Sequence, residues 1–105
     1  MNRPARLSIV FTHDEIALIQ STIADIEIGG PVRGLLAHAA PVTGGRRISG
    51  TDDDIDRLLE AVWSEMRGYQ RIDEERSGTE LDEPIPGSTA ARLATIYDTI
   101  EQHLS

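Results

Sequence analysis

The sequence predicts a mainly α fold: a single small helical domain over residues 1–105, with three to four amphipathic helices and a short N-terminal β-ribbon. Three observations predict it. Three long segments space their apolar residues at helical intervals, and two of them open on a capping signature. Gly–Pro clusters at 29–31 and 84–87 punctuate the chain between those segments. One early stretch, Leu7–Phe11, alternates instead with the period of a strand.

Residues 1–6 are polar, contain Pro4, and read as a disordered terminus. Leu7, Ile9 and Phe11 then alternate with Ser8 and Val10, the pattern of a half-buried strand. Its partners in a ribbon are Val42-Thr43 and Arg46–Ile48, with Gly44-Gly45 placed to form a primed two-residue turn. Pairing of the same edge between two chains is the alternative.

The first helix opens at Thr12, the expected N-cap, with Glu15 closing a capping box and Phe11 placed to staple onto Ile16. Ile16, Ile19, Ile23 and Ile26 form its stripe, and Gly29-Gly30-Pro31 ends it. Pro31 suits the first position of a short second helix carrying Val32, Leu35, Leu36 and Ala39, closed by Pro41.

The central helix is capped by Thr51 with Asp54 three residues on, and Asp52 to Asp54 sit where the helix dipole favours negative charge. Its apolar face comprises Ile55, Leu58, Leu59, Val62, Trp63 and Met66, with Trp63 expected to be the largest core contributor. It runs from about Asp52 to Gly68 and can extend through Arg76. Residues 77–87 form an acidic Pro/Gly loop pinned by Leu81 and Ile85. The last helix begins near Ser88 or Thr89 and lines up Leu93, Ile96, Tyr97, Ile100 and Leu104.

Composition bounds the chemistry. Without cysteine there is no disulfide framework, thiolate-ligated zinc, iron–sulfur cluster or thiol nucleophile. No apolar run reaches membrane-spanning length and no secretory leader is visible, so a soluble cytoplasmic protein is expected. All ten basic residues are arginine. The formal charge of −8 is uneven: residues 1–47 carry five arginines and four acids, residues 48–105 five arginines and fourteen acids. That balance argues against general nucleic-acid binding, because phosphate is repelled.

No catalytic constellation emerges. The Asp52–Asp56 run lacks the alternation, central glycine and closing glutamate of an EF-hand loop, and a helix N-terminus explains it as well. His13, Asp14 and Glu15 are consecutive, so on a helix they diverge by about 100° per residue instead of converging on a metal. No G-x-S-x-G, Walker or G-x-G-x-x-G motif is present. Arg33, Gly34 and the Gly44–Arg47 stretch suggest phosphate capture only weakly. The expectation is therefore a non-enzymatic module with no metal and no cofactor.

The positive reading is a small acidic protein–protein interaction or regulatory module, an adaptor or inhibitor of a larger partner with a basic surface. Asp53, Asp56, Glu60, Asp73 and Glu74 are its candidate contact residues, and Arg46 and Arg47 its most partner-like basic feature. One alternative is a phage- or immunity-type inhibitor whose carboxylates mimic nucleic-acid phosphates. Another is a homo-oligomeric module, a dimer through the Leu7–Phe11 edge or a surplus apolar helix face.

Overall fold

The computed structural model describes residues 6–24 and 30–104. Among them the architecture is mainly α, with four helices and a three-stranded antiparallel sheet. The elements are β1 (Arg6–Thr12), α1 (His13–Ile19), α2 (Pro31–Ala37), β2 (Ala40–Val42), β3 (Gly45–Thr51), α3 (Asp52–Ser77) and α4 (Thr89–Leu104). Arg6, expected within the polar terminus, is the first residue of β1; the rest of that terminus lies outside the described residues.

β3 occupies the middle of the sheet, between β1 and β2. It pairs with β1 over seven positions from Arg6↔Thr51 to Thr12↔Gly45, so the ribbon inferred from the alternation of β1 is a full sheet. Opposed residues share a face. Ile9 and Ile48 meet on the inner face and are fully buried, whereas the Ser8 and Ser49 hydroxyls bond at 3.0 Å on the outer one. Pro41 lies within β2, where an edge strand tolerates its missing N–H.

The hairpin turn differs from the expected Gly44-Gly45. Val42 pairs with Gly45, so the two turn residues are Thr43 and Gly44, and only Gly44 has positive φ, at 82°. A primed turn would require positive φ at the first central residue. Gly45 instead belongs to β3, and steric room explains it. A Cβ there would stand 1.8 Å from the Phe11 carbonyl oxygen.

Both expected capping boxes form. The Thr12 hydroxyl accepts from the Glu15 amide while the Glu15 carboxylate accepts from the Thr12 amide, and Thr51 and Asp54 do the same for α3. β1 and β3 thus run directly into α1 and α3. α1 passes into a π-helical turn at Gln20–Ala24. There the Leu18 carbonyl accepts from the hydroxyls of both Ser21 and Thr22, at 3.2 and 2.6 Å, in competition with the regular backbone amide. Such back-bonding is a local cause of helix widening. The expected continuation of this helix to Ile26 and Gly29 of its expected stop fall outside the described residues, while Gly30, with φ −82°, is the N-cap of α2.

α3 extends to Ser77 and ends on Gly78 in the left-handed conformation, φ 69°. Ser88 caps α4, its hydroxyl accepting from the Ala91 amide. α3 and α4 pack along each other, and the core gathers Ile9, Phe11 and Ile48 from the sheet with Ile55, Leu58, Val62, Leu93, Ile96 and Ile100 from these helices. α2 closes one side with Val32, Leu35 and Leu36. Gly50 lets it do so, since a Cβ there would press on Leu35 at 3.0 Å and on Asp54 at 2.9 Å. The intervening loop is tied down chiefly by a polar contact. Buried Gln70 donates from Nε2 to the Leu81 carbonyl at 2.9 Å, Leu81 is half-buried, and Ile85 stays exposed.

Candidate protein-contact surface

Trp63 is 49% exposed, which corrects its expected place at the heart of the core. Consecutive helical residues point about 100° apart. The core takes Ile55, Leu58 and Val62, so Trp63, next to Val62, is turned to the border between the buried and solvent faces. There it joins two grooves. On its N-terminal side Leu59, Glu60 and Tyr97 complete a groove of about 240 Å³. On its C-terminal side Ser64, Arg67, Gly68 and Arg71 complete one of about 360 Å³.

The helical repeat places Asp53, Asp56, Glu60, Trp63, Arg67, Arg71 and Glu74 in one row, at successive spacings of three or four residues. All but the half-buried Glu74 are exposed. Along this row charge is sorted: acids before Trp63, arginines after it, and an acid at the far end. Tyr97, on α4, flanks the row. Its partial burial, then the adjacent Glu101 carboxylate that accepts its hydroxyl hydrogen bond, and Asp98, hold its phenol above the usual tyrosine range.

The sequence-selected contact residues do not form one patch. Asp53, Asp56 and Glu60 share the row, whereas Asp73 faces away from it and is half-buried. Glu74 returns to the row, but fourteen residues beyond Glu60, about 21 Å at the helical rise. Arg46 and Arg47, adjacent in β3, necessarily point to opposite sides of the sheet. Arg47 is exposed opposite Val10 on the outer face. Arg46 turns inward and, with Arg33, Gln20, Leu36 and Ala37, lines an open groove of about 400 Å³. No acid is among the described residues lining it.

Sequence reasoning placed Trp63 and Tyr97 on apolar faces and did not select Arg67 or Arg71 as contact residues, although Arg67 falls on the polar face of the helix. The available signal was the sorting of charge along one solvent face of α3, visible once the row was extended past Glu60. Among the described residues no cluster of three or more acids and histidines could hold a metal ion, and no helix is long and apolar enough to cross a membrane. The chain matches no protein-family model, no curated protein and no solved structure.

Proposed function

We propose that this chain is a non-enzymatic protein-binding module that regulates or adapts its partner, working in the cytoplasm through the solvent face of α3 centred on Trp63. The observation that carries the proposal is the half-exposed position of the only tryptophan, between two grooves and beside Tyr97, Arg67 and Arg71. Tryptophan, tyrosine and arginine are the side chains that most often dominate binding energy at protein interfaces. Asp53, Asp56 and Glu60 give the same face an acidic half, suited to basic groups on the partner. Mimicry of nucleic acid fits less well, because Trp63, Arg67 and Arg71 break the row of carboxylates.

Capture of partners from source lysate by the tagged chain, with nuclease present, tests the proposal. A stoichiometric partner retained by the native chain and lost with Trp63→Ala is the expected result. Equal retention by the folded variant overturns the assignment of this surface.

The convergence of Arg33 and Arg46 on one groove favours a second reading, a site for a small anion such as phosphate or a dicarboxylate. A rise in Tm with added anion that disappears in Arg46→Gln would support it, and an unchanged Tm would remove it.

A further inference from the structure

We infer that the occupant of the Trp63 surface is a second copy of this chain, docked with its α3 antiparallel to the first about a two-fold axis passing between Trp63 and Ser64. The inference rests on the reading of that surface as a protein-contact site.

Charge order carries the argument. A two-fold contact is self-complementary, so each residue of the row must face a suitable residue of the same row read backwards. With the axis between Trp63 and Ser64, Glu60 faces Arg67 of the second copy and Asp56 faces its Arg71, and both pairings occur twice by symmetry. Within one chain Glu60 has Arg57 three residues before it and Arg71 has Glu74 and Glu75 three and four residues after it, but the two couples themselves are unfavourable. Asp56–Glu60 and Arg67–Arg71 are like-charged neighbours four apart, a spacing that weakens a helix. Pairing the acidic couple with the basic couple of another copy relieves both. Asp53 and Glu74 face each other only at the ends, where crossing helices diverge.

Shape gives a second, independent argument. Trp63 borders a groove on either side, and because long helical side chains lean toward the N-terminus of their own helix its indole is directed toward the level of Leu59 and Glu60. In the antiparallel register those two levels face Gly68 and Arg67 of the second copy. The indole therefore meets the groove bounded by Ser64, Arg67, Gly68 and Arg71, where a guanidinium can lie over its ring. Gly68 is otherwise costly, being in the interior of the longest helix with open space where a Cβ would stand. Against a second helix its missing side chain admits the indole. From Asp56 to Arg71 the contact runs fifteen residues, about 22 Å along each helix.

Sedimentation equilibrium of the full chain over a wide concentration range tests this, with Trp63 fluorescence as a second readout. The expected result is a monomer–dimer equilibrium whose dimer shifts tryptophan emission to the blue. Glu60→Arg alone, or Arg67→Glu alone, should weaken the dimer by about tenfold or more, since two attractive contacts become repulsive. An equimolar mixture of these two single variants should form a heterodimer, because every contact is then complementary. The double variant, Glu60→Arg with Arg67→Glu, should regain the homodimer. Trp63→Ala should weaken association by about a hundredfold.

A native chain that stays monomeric at the highest concentration overturns the inference. So does a dimer indifferent to the charge reversals, or single variants that fail to pair when mixed. If the native chain is monomeric yet loses a lysate partner on Trp63→Ala, the contact surface stands and only the second copy is wrong. If Trp63→Ala changes neither self-association nor capture, the surface itself is wrong.

Discussion

Phe11 and Trp63 are both large aromatic residues in apolar patterns, and their environments set opposite outcomes for truncation. Phe11 is completely buried beneath the sheet, so Phe11→Ala should cost about 3–5 kcal/mol, read as a fall in the urea midpoint. Trp63 already shares half its surface with water, and Trp63→Ala should cost only about 1 kcal/mol in the same assay. That difference makes the variant usable as a binding probe. The adjacent glycines of the hairpin form a similar contrast. Gly45→Ala drives a methyl into the Phe11 carbonyl and should cost about 3 kcal/mol or more. Gly44→Ala meets no neighbour but must keep a left-handed backbone, at about 1 kcal/mol. Equal losses at the two positions would contradict the turn assigned to Thr43-Gly44.

At the scale of the element, α3 holds two opposing adjustments. Its start is fixed by the reciprocal bonds of Thr51 and Asp54, so Thr51→Ala should cost about 1 kcal/mol in thermal or chemical unfolding. Its middle carries Gly68, for which the chain's own packing supplies no steric need. Gly68→Ala should stabilise the monomer by about 0.5–1 kcal/mol while weakening self-association, a combination expected only if the open space serves a second molecule. The same helix shows why the Asp52–Asp54 run is structural. Asp54 caps the backbone, and its two neighbours lie in the first turn, where the dipole favours them.

For the whole molecule, the acidic second half forms the α3–α4 pair, and the Arg33–Arg46 groove lies on the more basic first half. The tertiary arrangement therefore places the Trp63 surface and the Arg33–Arg46 groove on different elements. It also couples Tyr97 to stability at alkaline pH. Its phenol is held above the usual range, so the folded chain keeps that proton more firmly than the unfolded chain. The resulting stabilisation is complete below the unfolded tyrosine pKa of about 10 and is lost as pH rises through the higher folded value. Tyr97→Phe should flatten the alkaline limb of the stability profile, measured by urea unfolding across that range. A limb as steep as the native one would assign the loss elsewhere.

Local chemistry in the sequence determined the helix starts, the strand alternation and the acidic loop, because caps, glycines and periodicity act over a few residues. Thr12 with Glu15 and Thr51 with Asp54 specify their boxes without any distant contact, and Leu7–Phe11 specifies which side chains of β1 enter the core. The absence of cysteine and the unequal charge of the two halves were equally plain. Tertiary structure decided what depends on geometry between elements. The register of β3 moved the turn to Thr43-Gly44 and sent Arg46 and Arg47 to opposite faces. The packing direction of α3 against α4 chose Ile55, Leu58 and Val62 for the core and left Trp63 at its border. An apolar stripe on a helix is wider than the core that receives it, and only the neighbouring element determines which edge stays in water.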